Sequence, residues 1–304
     1  MNMLVKLLLL LSAWFCPFSA VAETTLTIYY TASLRGNLDG CNCDMNPVAG
    51  LVKRAAFLRK LQPPGPALIL EAGDIFDEYP DPDLERHILE VYEELGYDAV
   101  ALGDQELAAG PQSLLLYEEE FPLLCHNLFI RKDGSTGTAS EGDLFTPAPV
   151  VIGRRGLRIG ILSLIDPAVV PRSSASRFRI ADPIAVAETM LSLCDRLDLD
   201  LTVVLYHGSF QSAVKLANTC PGIDVVVFAH EQQLVAPRMI GATVIASPGE
   251  EGNRLGILTL HLGPGGIKSF QSEFRFFSYV KDPDDPSVRS RIDSYRKKLR
   301  SYLY

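Results

Sequence analysis

The sequence predicts an α/β protein, because short apolar runs of strand length alternate with stretches of helical periodicity. The strand-like runs cover residues 26–30, 67–71, 98–102, 157–164, 201–206, 224–228, 242–246 and 255–262. The clearest helical stretches cover residues 51–61, 83–95, 182–196 and 210–219. Strands that alternate with helices form βαβ units, in which parallel strands end at the same edge of a sheet. Ligands of such proteins bind at that edge, so the residues that follow the strands are the first candidates for a functional site.

The first 22 residues predict a secretory signal peptide. Lys6 precedes a leucine-rich run, and Ala20-Val21-Ala22 fits a small-residue cleavage site. We therefore expect cleavage after Ala22 and a periplasmic or otherwise exported protein. Phe15 before Cys16 is too large for a lipoprotein cleavage site, so no lipid anchor is expected. No later segment has the roughly 18 consecutive apolar residues that a membrane span requires.

The composition favours a globular domain that does not bind nucleic acid. The net charge is −9 at pH 7, and removal of Lys6 with the signal peptide makes it more negative. Such a charge opposes binding to nucleic acid or to an anionic membrane. We expect one domain over residues 23–280, in which Gly263-Pro264-Gly265-Gly266 forms a hairpin turn. A charged helix within residues 281–304 would then cap the domain, reach toward a partner or simply be solvated.

The cysteines raise a separate question. Five of the six cysteines remain after cleavage, and an odd number implies at least one free or intermolecular thiol. Cys41 and Cys43 lie in a glycine-rich loop between the first strand and the first helix. They could form a readily reduced disulfide or bind a soft metal together, whereas a structural disulfide or a distant partner for Cys41 is the alternative. Cys194, on an apolar helix face, is expected to be a buried inert thiol.

Polar residues follow several of the predicted strands. Asp74, Asp104, His207 and His230 each come at or just after the end of an apolar run. Taken singly, a Gly-Asp pair is often a turn or a helix N-cap, and a lone histidine is often a structural residue. Taken together, two carboxylates and two imidazoles at one sheet edge suit a divalent transition metal such as Mn, Fe, Co or Zn.

The order of these motifs resembles the calcineurin-like metallophosphoesterases, and within them the periplasmic 5′-nucleotidase branch, which also includes thiosulfohydrolases. The resemblance runs from about Leu26 to Phe277. It is supported by the segments YDAVALGDQEL, FPLLCHNLF, GLRIGILSLID and ASPGEEGNRLGILTL. It implies a sandwich of two mixed β-sheets flanked by helices, and a family chemistry in which two metals hold the attacking and leaving oxygens.

The resemblance also implies that one of the two metal sites is missing. The family's opening Asp-x-His falls on Ser33-Leu34-Arg35, so neither of its ligands is present. The last histidine of its closing Gly-His-x-His falls on Gln232. We expect Arg35 to point into the vacated position, where its guanidinium would offer a fork of donors to an oxyanion.

The second metal site keeps its ligands. They are Asp74, Asp104, His207 and His230, with Asp104 in the place of the family's asparagine. The exchange adds a negative charge, which strengthens the binding of a dication. The family's catalytic histidine falls on Gln105, so Glu106 and Glu231 are the remaining candidates for a general base.

Two functions are therefore open. The first is an exported one-metal hydrolase of a small phosphate or sulfur-oxyanion ester, with no nucleotide cofactor. The second is a catalytically silent relative that acts as a redox or binding module through Cys41 and Cys43. In that case a periplasmic redox partner, as part of an electron-transfer complex, is expected.

Overall fold

The computed structural model describes residues 24–43, 47–118, 120–130, 142–249 and 252–302. The predicted signal peptide and its cleavage site lie outside these ranges. The first half of the chain forms β1 (Thr24–Thr31), α1 (Gly50–Leu58), β2 (Ala67–Glu71), α2 (Pro82–Glu94), β3 (Ala99–Ala101), α3 (Pro111–Glu118), β4 (Leu123–Leu124), β5 (Leu128–Ile130) and β6 (Asp143–Leu144). Each of the predicted strands and helices in this half is present within a few residues.

The second half continues the alternation of strands and helices. It forms β7 (Val150–Arg154), β8 (Leu157–Ile165), a 3₁₀ turn (Pro167–Val169), α4 (Arg172–Ala175), β9 (Arg179–Ile180), α5 (Pro183–Cys194), β10 (Leu201–Gly208), α6 (Phe210–Thr219), β11 (Val225–His230), β12 (Leu234–Ile240), β13 (Thr243–Pro248), β14 (Arg254–Gly263), β15 (Gly266–Phe276) and α7 (Pro286–Tyr302). The predicted hairpin turn joins β14 to β15. None of the helices in the described part of the chain is both long enough and apolar enough to cross a membrane.

Twelve of the fifteen described strands form two mixed sheets, which confirms the predicted fold class, and β6, β5 and β9 form a small third sheet. The first has the order β15-β14-β1-β2-β3-β4 and the second the order β12-β13-β11-β10-β8-β7, each with six strands among the described residues. Strands β1 to β4 run parallel to one another, and so do β8, β10, β11 and β13. The antiparallel strands β14, β15, β12 and β7 lie at the outer sides of the sheets.

The two sheets pack face to face and bury an apolar layer between them. Leu26 and Ile28 of β1 point into this layer and meet residues of the second sheet such as Ile159 and Val203. Tyr29 points the other way, toward the helices α1, α2 and α7, because successive side chains of a strand face opposite sides. Helices α5 and α6 cover the outer face of the second sheet.

The C-terminal helix α7 docks on the domain. Val288 and Ile292 are buried in the same apolar cluster as α1 and α2. The Tyr295 hydroxyl donates a hydrogen bond to the Asp81 carboxylate over 2.6 Å, and Arg291 forms ion pairs with α2. Of the roles considered for this helix, capping the domain fits these contacts.

Candidate metal centre

The loop after β2 holds Asp74 in a tight conformation. Gly73 has φ of 100° and Asp74 has φ of 60°, a left-handed conformation that non-glycine residues adopt rarely and often at functional sites. A Cβ atom at position 73 would lie 2.9 Å from His207 Nδ1 and 2.8 Å from the Gly103 nitrogen. A glycine is therefore needed before Asp74 for these loops to approach each other.

Asp104 follows β3 in the same manner. A Cβ atom at Gly103 would lie 2.3 Å from Asp74 Oδ1, so this position also requires glycine. Because β2 and β3 are adjacent parallel strands, two successive Gly-Asp pairs bring two carboxylates to the same edge. Asp74 is buried and Asp104 is partly exposed, so the site has an inner and an outer carboxylate.

His207 lies at the end of β10 in the opposite sheet and is fully buried. Its Nε2 atom is 2.9 Å from Asp104 Oδ1 and 3.3 Å from Asp74 Oδ1. Its Nδ1 atom is 3.2 Å from the Ala72 carbonyl oxygen. With Nδ1–H donating to that carbonyl, Nε2 is directed at the two carboxylates, which is how metal-ligating histidines are commonly oriented.

His230 completes the group from the end of β11. Its Nδ1 atom is 3.0 Å from Asp104 Oδ1, and its side chain is 32% exposed. One donor atom from each of Asp74, Asp104, His207 and His230 lies within 4.8 Å of the others. The structure thus brings together all four residues that were predicted as metal ligands.

The charges of the group balance one another. Burial lowers the pKa of His207, but the carboxylates of Asp74 and Asp104 outweigh this effect and raise it to about 9. Burial raises the pKa of Asp104, yet its hydrogen bonds to His207 and His230 hold that pKa well below the usual range. Burial raises the pKa of Asp74. A positive charge among these carboxylates is therefore favoured, and a dication bound to the same donors would supply it.

Glu106 connects the loop that carries Asp74 with the loop that carries Asp104. Its fully buried carboxylate accepts backbone N–H bonds from Asp74 (3.0 Å), Ile75 (2.8 Å), Phe76 (3.0 Å) and Gly103 (2.6 Å). Burial and the neighbouring Asp74 raise the pKa of Glu106 to about 7. Both of its oxygens are engaged, so these contacts fit a positioning role better than the base role suggested from sequence.

The other two predicted catalytic residues lie around the group. The Arg35 nitrogen donates to the Asp74 carbonyl over 2.9 Å, and the Ser33 nitrogen donates to the Gly73 carbonyl over 2.9 Å. The loop that carries Arg35 is therefore adjacent to Asp74. The Glu231 carboxylate is exposed and accepts the Phe210 N–H over 2.8 Å in the first turn of α6.

The cysteine pair is a disulfide. Cys41 is bonded to Cys43, with 5.3 Å between their Cα atoms, so Cys41 has no distant partner. Cys125, Cys194 and Cys220 are free and buried, which confirms the expected free thiol and the buried Cys194.

Comparison with known proteins identifies 5′-nucleotidases as relatives. The chain is 26% identical to a 5′-nucleotidase of Mus musculus over 338 residues, covering 97% of this chain and 56% of the relative. It is 26% identical to a venom 5′-nucleotidase of the snake Gloydius brevicauda over 239 residues, covering 74% of this chain and 40% of the relative. The chain thus spans about half the length of these curated relatives. No model of a protein family matches the chain.

Solved structures share the fold over 92% of this chain. A 5′-nucleotidase precursor of Thermus thermophilus superposes with a TM-score of 0.76 at 20% identity and is covered over 60% of its length. A sulfate thiohydrolase of the same organism gives a TM-score of 0.76 at 17% identity, with 61% covered. A calcineurin-like phosphoesterase of Bacillus subtilis gives 0.73 at 17% identity and is covered over 99% of its length.

Proposed function

Because the chain belongs to the 5′-nucleotidase-like branch of the calcineurin-like metallophosphoesterases, we propose that it is a one-metal hydrolase of a small phosphate or sulfur-oxyanion ester. The observation that carries the proposal is the convergence of four donor atoms from Asp74, Asp104, His207 and His230 within 4.8 Å. Two carboxylate oxygens and two imidazole nitrogens form a donor set that suits Mn, Fe, Co or Zn. The substrate classes are taken from the relatives, which are 5′-nucleotidases and a sulfate thiohydrolase.

The bound metal would polarise an oxyanion and make water more acidic. The residues of the chain would orient the ligands and balance the charge of the metal. Asp74 and Asp104 would balance the charge of a bound dication, and the Ala72 carbonyl holds the imidazole of His207 in the orientation that directs Nε2 at the two carboxylates. Glu106 fixes the spacing of the two aspartates through backbone hydrogen bonds. His230 and Asp104 are partly exposed, so we expect the substrate to approach from their side.

Arg35 and Glu231 are proposed to act on the substrate. Arg35 lies in the loop beside Asp74. Its guanidinium would donate two parallel hydrogen bonds to an oxyanion of the ester. Glu231 follows His230 directly and is exposed, so it can exchange protons with solvent. We propose that it is the acid–base group, since Glu106 is enclosed by backbone donors.

The alternative of a catalytically silent module receives less support from the site. Asp74 and His230 have φ values of 60° and 108°, which non-glycine residues adopt rarely. Strained residues of this kind persist where the surrounding structure fixes them for function. Export of the chain remains part of the proposal and rests on residues 1–22 of the sequence.

The direct test is the hydrolysis of an aryl phosphate by the purified mature protein, with and without added Mn²⁺. We expect activity that depends on the metal and falls more than about 10-fold in Asp74→Asn, because the amide oxygen that remains is a weaker ligand than the buried carboxylate. Glu188→Gln, on the exposed face of α5, is the matched control and should keep full activity. An aryl sulfate assayed in parallel separates the two substrate classes. Equal activity of wild type and Asp74→Asn would exclude the proposed site.

A further inference from the structure

The disulfide between Cys41 and Cys43 has no part in the hydrolytic site described above. Cys43 is exposed and Cys41 is half-buried, whereas the three free cysteines of the described chain are buried. Among the cysteines of the described residues, this pair is therefore the one that a thiol in solution can reach. Its two cysteines are separated by a single residue, which makes the closed loop very short.

The loop that carries the pair is closed by contacts that do not involve sulfur. Cys41 and Val48 exchange two backbone hydrogen bonds of 2.8 Å each. The Ala49 N–H donates to Asn253 Oδ1 over 2.6 Å. Gly40 also lies against this strand of the loop, since a Cβ atom there would be 2.3 Å from the Val48 carbonyl oxygen. Breaking the disulfide would leave all of these contacts in place.

The C-terminal helix holds the loop from a second side. Arg289 forms an ion pair of 2.7 Å with Asp39, and Arg296 binds the other oxygen of the same carboxylate. Asp39 lies two residues before Cys41, so both ends of the disulfide-bearing segment are anchored. The contacts that anchor this segment are thus made without the two sulfur atoms.

Two physical arguments make such a disulfide easy to reduce. A disulfide stabilises a fold mainly by closing a long loop in the unfolded chain, and that contribution is small for a loop of this length. Exposed disulfides that add little to the fold are typically the labile ones, because an attacking thiolate can reach them.

The remaining thiols do not compete in the exchange. Burial raises the pKa of Cys125 to about 12, and burial also raises the pKa of Cys194 and Cys220. Thiols are nucleophilic only as thiolates, so these three are inert at neutral pH while the protein is folded. Exchange is therefore restricted to the exposed pair.

We propose that Cys41–Cys43 is a redox site that exchanges a disulfide with an exported dithiol protein. A thiolate of the partner attacks one sulfur and forms a mixed disulfide, and the second thiol of the partner then resolves it. The partner becomes a disulfide, and its two electrons and two protons reduce Cys41 and Cys43 to thiols. This function is separate from ester hydrolysis and does not require the metal.

The test uses the folded, metal-loaded mature protein. The protein is equilibrated with a series of glutathione buffers or with a reduced thioredoxin-type dithiol protein, then alkylated and analysed by peptide mapping. We expect Cys41 and Cys43 to become labelled together in both arms, and Cys125, Cys194 and Cys220 to be labelled only after denaturant is added. The variant with both Cys41→Ser and Cys43→Ser should melt within about 4 °C of wild type, since the loop is anchored without sulfur.

Three results would overturn the proposal. The pair could stay oxidised in the most reducing buffer, or the double serine variant could melt far below wild type; either would mark a structural disulfide. Reduction by glutathione without reduction by the dithiol protein would exclude a dithiol partner. Because labelling is read by mass, the outcome does not depend on whether the protein hydrolyses an ester.

Discussion

Asp104 contacts both imidazoles of the candidate metal centre. Its Oδ1 atom lies 2.9 Å from His207 Nε2 and 3.0 Å from His230 Nδ1. The two histidines come from neighbouring strands of the second sheet, whereas Asp104 comes from the first. A single carboxylate oxygen of the first sheet therefore contacts both histidines of the second sheet.

We predict that Asp104→Ala removes measurable metal binding, because it deletes a direct ligand and leaves His207 and His230 without their shared partner. Asp104→Asn should bind the metal more weakly than wild type but still detectably, since its amide oxygen remains a donor while the negative charge is lost. Calorimetric titration with Mn²⁺ and Zn²⁺ measures both variants, with Glu188→Gln as the control. Tighter binding by Asp104→Asn than by wild type would contradict the role given to the charge.

Glu106 acts through the backbone of the ligand loops. Glu106→Gln keeps the shape of the side chain but replaces one acceptor oxygen by a donor, so the N–H groups bound to that oxygen, either those of Asp74 and Gly103 or those of Ile75 and Phe76, lose their partner. We predict a 10- to 100-fold loss of metal affinity, the range typical for residues behind a ligand. The visible spectrum of the Co²⁺-loaded variant should also change, because the ligand geometry is altered. An unchanged spectrum and an unchanged metal affinity would show that Glu106 does not position the metal ligands.

The sequence identifies the metal ligands better than the residues that support them. Parallel pairing of neighbouring strands predicts that Asp74 meets Asp104 and that His207 meets His230. The prediction that all four lie at one sheet edge was wrong, because the two pairs come from two sheets that pack face to face. The positioning role of Glu106 depends on backbone donors about 30 residues earlier in the chain. Such contacts leave no local pattern, and for that reason the sequence suggested a general base at Glu106 and not a positioning residue.

His126 connects the end of the first sheet to the second sheet. Its Nδ1 atom accepts the Ser163 N–H of β8 over 2.9 Å, and its Nε2–H donates to the Ala148 carbonyl over 3.1 Å. The neutral imidazole therefore satisfies both partners. Burial lowers the pKa of His126 from 6.5 to about 4, against the opposing effect of its backbone hydrogen bonds.

This displaced pKa predicts a loss of stability in mild acid. Below pH 6.5 the unfolded chain binds a proton at His126 that the folded protein does not bind until about pH 4. The free energy of unfolding should therefore fall as the pH falls through this window, by up to about 3 kcal/mol from this residue. Denaturant titrations of wild type and His126→Gln at pH 7 and pH 4.5 measure the effect. The variant should be less stable at pH 7 but lose less on acidification; parallel losses would contradict the assignment.

Helix α7 contributes to the core as well as to the surface charge. We predict that Ile292→Ala lowers the free energy of unfolding by about 2–4 kcal/mol, because it leaves a cavity beside α1 and α2. Leu299→Ala, on the same helix but 40% exposed, is the matched control and should cost less than about 1 kcal/mol. Chemical denaturation of the two variants compares them directly. Equal and small effects would mean that α7 is not part of the cooperative fold.

The elements that sequence reasoning found are those with continuous apolar runs or a clear helical period. The edge strand β12 was not predicted from the sequence, because its exposed residues and Pro237 interrupt the apolar pattern. Helix α3 was not predicted because it has only 8 residues, and its leucines at positions 114–116 do not follow the helical period, since Leu116 is exposed. Edge strands and short segments with a run of apolar residues are ambiguous in sequence for this reason.

At the scale of the whole molecule, the sandwich places residues from both sheets around the candidate metal centre. Strands β2 and β3 lead to Asp74 and Asp104 in one sheet, and β10 and β11 end at His207 and His230 in the other. The arrangement requires both sheets to be folded and packed. A metal that binds the folded state alone should therefore raise the stability of the entire domain.

The most direct test of this account is the number of metal ions that the protein retains. Mature protein is loaded with Mn²⁺ or Zn²⁺, freed of excess metal by gel filtration and measured by elemental analysis and native mass spectrometry. We predict one metal ion per chain in wild type and none in His207→Ala. Two metal ions per chain, no retained metal in wild type, or one retained ion in His207→Ala would contradict a single centre built from Asp74, Asp104, His207 and His230.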